Sequence, residues 1–170
     1  MDVGALDSAP EEAFVASMAP LFEGARRFLR RLAAARPFGS AEALFARAEE
    51  IALAMPEDEQ IELVDAHPQL GAPPASVSAF SRREQGYDRD TAEAIEALER
   101  LNAEYERRFG FRFCVFVAGR PRSALVPVLE AALAADRRTE LRRALRDVVA
   151  IARDRASRPV AEQPGQEGAA

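Results

Sequence analysis

Lysine is absent from this 170-residue sequence, and every one of its 23 basic residues is arginine. That removes whole classes of chemistry, because a Schiff base to a carbonyl substrate, an internal pyridoxal aldimine and a standard P-loop each need a lysine amine. Histidine and cysteine occur once each, as His67 and Cys114. Such scarcity leaves no Cys/His cluster for zinc and no His-Glu-x-x-His helix, so a transition metal is not expected, although an all-carboxylate site for a hard cation stays open. A lone cysteine forms no intrachain disulfide, which fits a reducing compartment.

Long apolar runs are missing too. None approaches the roughly 20 residues of a membrane span, and residues 1–12 lack the basic and apolar regions of a secretion signal. The last residues, Glu167-Gly168-Ala169-Ala170, carry no peroxisomal or endoplasmic-reticulum address, so a cytoplasmic location is expected. A formal net charge of -5 and a pI near 5.1 give no general attraction to phosphate backbones or anionic lipid; neither nucleic acid nor membrane is an expected partner. What remains, 48% hydrophobic and 30% charged residues, is the composition of a folded globular chain whose length suits one domain. For proton chemistry near neutral pH, His67 is the only side chain with an ordinary pKa of about 6.5.

Helical periodicity separated by Pro, Gly and Ser punctuation predicts an all-α chain. Ser8 with Pro10 predicts a first helix start, and Leu21, Ala25, Phe28, Leu29 and Leu32 trace a stripe over 20–35 that Pro37-Phe38-Gly39 ends. Ser40 caps a helix to about Met55. Pro56 and the acidic Glu57-Asp58-Glu59 start another that must stop near His67-Pro68, which puts His67 at a helix exit. Residues 71–78, with Pro73-Pro74, read as a loop. A helix over 91–108 buries Ile95, Leu98, Leu101 and Tyr105, with Gly110 placed to end it. The apolar run over 111–117 resembles a strand without a partner of comparable strength, and is read as a buried extended segment or a buried helix start. Helices from Ser123 to about Ala135 and from Arg138 or Thr139 to about Arg155 complete a domain over 1–156, followed by a disordered tail over 157–170.

Three groups could carry chemistry. In the last helix Leu141, Leu145, Val148, Ala152 and Arg155 share one face, so Arg155 occupies a core-facing position. A guanidinium there needs an anionic partner, such as a substrate carboxylate, or must snorkel outward at the helix end. Ser81-Arg82-Arg83-Glu84 fits a capping box; the same Ser81, Glu84 and Gln85 could instead present donors and acceptors to a urea-like ligand. His67 before Pro68 is either a helix-end histidine without a role or an imidazole held rigidly toward a cleft.

Taken together, His67-Pro68-Gln69-Leu70-Gly71, Ser81-Arg82-Arg83-Glu84-Gln85, Leu101-Asn102 with Tyr105, Phe109-Gly110-Phe111-Arg112-Phe113, and Glu140-Leu141 with Ile151-Ala152 and Arg155 resemble the 2-oxo-4-hydroxy-4-carboxy-5-ureidoimidazoline (OHCU) decarboxylases. The resemblance spans most of the chain. It implies an all-α fold, usually a homodimer, that converts OHCU to (S)-allantoin in urate degradation without a cofactor, beside a 5-hydroxyisourate hydrolase that supplies the substrate. Carried over by residue, it makes His67 the proton donor, with Glu84 and Arg155 completing the catalytic constellation. Pro68 lines the pocket, Ser81, Arg82, Arg83, Glu84 and Gln85 contact the substrate, and Phe113, Cys114, Val115, Phe116 and Val117 add backbone and apolar contacts. Glu84 would favour the protonated imidazole or serve mainly in binding. A relative acting on another heterocyclic acid, and a non-catalytic helical module that binds a small anion, are the alternatives.

Overall fold

Side-chain caps and proline set where the helices begin. A computed structural model of the protein describes residues 1–70 and 92–158, among which there are eight α-helices and no strand. Asp2 accepts the Ala5 N–H at 3.1 Å and caps α1, Val3–Ser8. Pro10 precedes α2, Glu11–Met18. Next come α3, Arg26–Ala34, and α4, Ala41–Ala54, capped as expected by Ser40. Pro56 and three acidic residues in the first turn start α5, Glu57–Asp65, where carboxylates meet the positive end of the helix dipole. Gly110, at φ 76°, ends α6, Ala92–Phe109. A single 3-10 turn, Arg122–Ala124, leads into α7, Val126–Leu133, and Asp136 caps the long α8, Arg137–Ser157. Among the described residues no helix is long and apolar enough to cross a membrane.

Several expected boundaries move. Ser8 closes α1 instead of opening a helix, because Asp2 supplies an earlier cap. More consequentially, the helix expected over 20–35 is interrupted. Glu23 and Gly24 both have positive φ, 49° and 75°, so residues 19–25 form a turn and α3 begins only at Arg26. The helix expected from Ser123 starts at Val126 after the 3-10 turn, and α8 reaches Ser157; residues 159–170, where the tail was expected, lie outside the described residues.

Helix α8 runs along α4 and α5, α3 lies on α2, α4 and α5, and α6 packs on α7. Phe14, Phe22, Phe28, Leu44, Leu63, Leu98, Leu125, Leu145 and Val148 form one continuous core through these layers. Outside it, arginines tie α3 to α5: Arg27 reaches Asp58 and Glu62, and Arg31 grips Glu59 with two bonds of 2.6 and 2.8 Å. These exposed pairs fix register more than they stabilise.

The 111–117 run is extended and buried, the first of the two readings its sequence allowed, and side chains satisfy its backbone in place of a second strand. Asp65 accepts the Arg112 N–H at 2.8 Å, Arg143 donates to the Cys114 carbonyl at 2.9 Å, and Arg120 donates to the carbonyls of Phe116 and Val117. The same Arg143 pairs with buried Glu140 and with Asp147, lies 5.0 Å over the Phe113 ring, and so ties the segment to α8. Tyr105 completes the cluster, donating to Glu140 at 2.8 Å while its ring meets Phe111 and Phe113 edge-on. Burial and the neighbouring Glu140 charge push the Tyr105 hydroxyl well above its usual range, so it is a donor at any working pH.

Replacing Tyr105 by Phe removes one hydrogen bond to an ionised group and is expected to cost about 1.5–3 kcal/mol. Urea unfolding with an unchanged denaturant slope checks this; a loss below about 0.5 kcal/mol would mean that Arg143 alone satisfies Glu140.

Candidate active site

His67 follows directly on the end of α5. The backbone N–H of His67 bonds to the Val64 carbonyl at 3.1 Å, and its ring Nδ1 lies 3.2 Å from the Leu63 carbonyl, one turn back. A carbonyl only accepts, so Nδ1 carries the proton and the neutral ring presents Nε2 as a bare lone pair. That Nε2 is buried without a hydrogen-bond partner, and His67 is only 3% exposed. The ring therefore keeps one unused nitrogen, and the residue lines a cavity.

Residues after His67 are pinned from both sides. Arg112 donates to the carbonyls of Asp65 and His67, at 2.8 and 3.3 Å, while Asp65 takes the Arg112 N–H, so the α5 exit and the extended segment clasp each other. From α6, buried Asn102 donates to the Leu70 carbonyl at 2.8 Å and Glu106 accepts from Gln69 at 3.0 Å. The Pro68 ring adds its own stiffness. Position and tautomer of the imidazole are thus set by backbone and neighbours together.

Arg155 comes to the site from α8. It is 2% exposed and does not snorkel outward. One of its terminal nitrogens donates to the carbonyls of Pro20 and Leu21, both at 3.1 Å, and the other to Glu23 at 2.9 Å. The anionic partner that its core-facing position demanded is supplied within the chain, by the turn that interrupts the expected second helix.

These groups meet around a small cavity of about 30 Å³, lined by His67, Pro68, Leu70, Phe113, Cys114, Val115, Val117, Ile151 and Arg155. Of the expected contact residues, Phe116 does not line it. The carbonyls of Cys114, Phe116 and Val117 are already engaged by Arg143 and Arg120. Ser81, Arg82, Arg83, Glu84 and Gln85, expected to contact the substrate, lie outside the described residues. Among the described residues no group of three or more His, Cys, Asp or Glu side chains is placed to hold a metal ion.

Electrostatics decide the state of the imidazole. Burial first, and then the Arg155 charge, push the His67 pKa down from 6.5 to about 4, against an upward pull from Glu23 and the Leu63 carbonyl. In the substrate-free site His67 is neutral at pH 7. It can serve as a proton donor only after something brings negative charge beside it.

Sequence reasoning missed Glu23, Asp65 and Arg112. Glu23 carried a signal, since Glu23-Gly24 inside a helical stripe is turn punctuation. Asp65 and Arg112 are separated by 47 positions, and nothing local relates them.

A family model described as OHCU decarboxylase matches residues 7–157. The uric acid degradation bifunctional protein PucL of Bacillus subtilis (strain 168) is 32% identical over 150 residues, which make up 86% of this chain and 30% of that protein. A second bifunctional relative, from Bacillus sp. (strain TB-90), is 28% identical over 142 residues, so the chain spans less than a third of the length of either. The 2-oxo-4-hydroxy-4-carboxy-5-ureidoimidazoline decarboxylase of Haloferax volcanii is 27% identical over 144 residues, covering 84% of this chain and 86% of that one. In fold, the chain matches a crystal structure of OHCU decarboxylase determined in the presence of (S)-allantoin, with a TM-score of 0.69 at 20% identity over 86% of this chain and 95% of that one. With 151 of its 170 residues inside the family pattern, the chain belongs to the OHCU decarboxylase family.

Proposed function

We propose that this chain decarboxylates OHCU to (S)-allantoin in urate degradation, with His67 as proton donor and Arg155 as the cation facing the substrate carboxylate. The observation that carries the reading is a buried, unpartnered Nε2 on the only histidine of the chain, in a cavity that also holds a buried arginine. Family membership and the names of the relatives support the substrate.

The reaction breaks the bond between C4 and its carboxylate. CO2 leaves, the electron pair passes into the ring, and the ureido-bearing C5 gains a proton as the 4-hydroxyl becomes a carbonyl. Because the substrate itself accepts the electron pair, the protein has three tasks: to orient the carboxylate, to steady the developing charge, and to protonate one face. His67 can do the last only as imidazolium. The substrate carboxylate, arriving beside Arg155, offsets the positive charge that together with burial holds His67 neutral, and Nε2 then takes up the proton that it delivers to C5. A water-sized cavity does not admit the whole substrate, so binding displaces lining side chains or extends past the described residues. The roles of Glu84, Ser81, Arg82, Arg83 and Gln85 as substrate contacts, the cofactor-free reaction, a homodimer and coupling to a 5-hydroxyisourate hydrolase belong to the same proposal. The bifunctional uric acid degradation relatives support the coupling.

Chiral analysis of allantoin formed from freshly generated OHCU tests this reading. Wild type is expected to give (S)-allantoin, whereas His67→Ala loses about 10²–10⁴ in rate and yields racemic product at the spontaneous rate. Racemic product with wild type, at the rate of a protein-free control, would reject OHCU decarboxylation.

Depression of the His67 pKa also has a consequence for stability. The unfolded chain protonates His67 near pH 6.5 and the folded chain near 4, so between these values the unfolded state binds more protons and stability falls as pH falls. From pH 7 to pH 5 the loss is about 2 kcal/mol. His67→Gln should flatten this dependence in urea unfolding across that interval; an unchanged slope would show that folding leaves the His67 pKa where the unfolded chain has it.

A further inference from the structure

Glu23 holds its backbone at φ 49°, a left-handed conformation that glycine adopts freely and glutamate rarely. Such strain persists where surrounding contacts over-determine it, and here its side chain, 14% exposed, bonds the Arg155 guanidinium at 2.9 Å. The preceding residues add the Pro20 and Leu21 carbonyls on the other terminal nitrogen. One turn therefore orients the guanidinium by three bonds and supplies its counter-charge.

We infer that Glu23 is a positioning residue for the reaction: its carboxylate fixes the orientation of Arg155 and balances its charge, so that His67 can take up a proton when an anionic substrate enters. The inference rests on the decarboxylase reading above. Among the described residues, the charged groups that bear on His67 come from three elements: Arg155 on α8, Glu23 in the turn before α3, and Arg112, which donates to the His67 carbonyl from the extended segment and whose backbone N–H bonds to Asp65. From α6 the contact is the uncharged Asn102, on the neighbouring Leu70 carbonyl. Arg155 and Glu23 act on His67 in opposite senses. With both present Glu23 offsets part of the Arg155 charge; a substrate carboxylate offsets the remainder, and the imidazole follows. Without the Glu23 charge, the same substrate carboxylate would be consumed in neutralising Arg155, and His67 would stay neutral.

Glu23→Gln, which keeps an oxygen acceptor for Arg155 but loses the charge, separates this role from a structural one. The rate of a proton donor falls as pH rises through its pKa in the complex. The expected result is a kcat limb moved about one pH unit lower, hence roughly a tenfold loss of kcat above it, with KM for OHCU unchanged or lower because Arg155 attracts the anion more strongly. Glu23→Asp, which retains the charge, should return most of the shift. A Glu23→Gln limb at the wild-type position, or a raised KM with kcat intact, would overturn the inference. Should wild type fail to turn over OHCU, the decarboxylase reading itself fails, and the Glu23 role is read from the single histidine by NMR titration in the substrate-free protein. There Glu23→Gln is expected to lower the His67 midpoint and Glu23→Asp to leave it in place; identical midpoints would dismiss Glu23.

Discussion

A guanidinium buried at the end of the longest helix imposes a charge balance that organises the site around it. Arg155 is 2% exposed and packs from α8 against the turn before α3, so its charge has to be matched largely by protein atoms. Matching requires backbone carbonyls and a carboxylate to converge on one edge. That convergence breaks the helix expected over 20–35, because carbonyls locked in α-helical bonds are not free to turn toward a side chain from another helix. The strained Glu23 backbone and the short α3 follow from the same demand.

His67 depends on that balance at second hand. Its position comes from α5, from Arg112 and from Asn102, which together fix the chain on either side of the ring. Its protonation state comes first from burial and then from the opposed charges of Arg155 and Glu23. Geometry and charge are thus set by different parts of the fold. The Tyr105, Glu140 and Arg143 cluster packs on the extended segment and helps hold Phe113, Val115 and Val117 at the cavity without a partner strand.

Local rules made most of the helices legible. Ser40, Pro56 with its acidic turn, and Gly110 each mark an end by chemistry confined to a few residues, and α4, α5 and α6 fall where those residues place them. His67 and Arg155 were also legible, one as the only histidine and the other as a charge on an apolar stripe. The turn at Glu23-Gly24 was not read, because the apolar spacing of Leu21, Ala25 and Phe28 fits a helix and the reason to break it lies on α8, more than a hundred residues away. The 111–117 run shows the same limit: its apolar pattern left extended and helical readings open, and the side chains that satisfy its backbone come from Asp65 and Arg143, far along the chain. The part of the site expected from Ser81 to Gln85 lies outside the described residues, so family resemblance alone supports it.

An arginine-only complement of bases gives the single histidine its weight. A lysine buried beside an anion site can lose its proton as its surroundings change, and so share in proton traffic, whereas arginine stays charged at any working pH. Tyr105 is pushed upward, out of range, by burial and by Glu140. Arg155, Arg112 and Arg143 therefore act as fixed charges, and the described side chain poised to exchange a proton near neutrality when an anion enters is His67. A reaction that must protonate one face of a planar carbon benefits from that restriction. In the proposed reaction one donor, on a clamped backbone and through a single ring nitrogen, would approach from only one side, so that selectivity for a single enantiomer and the use of a lone imidazole among fixed cations would be two aspects of the same arrangement.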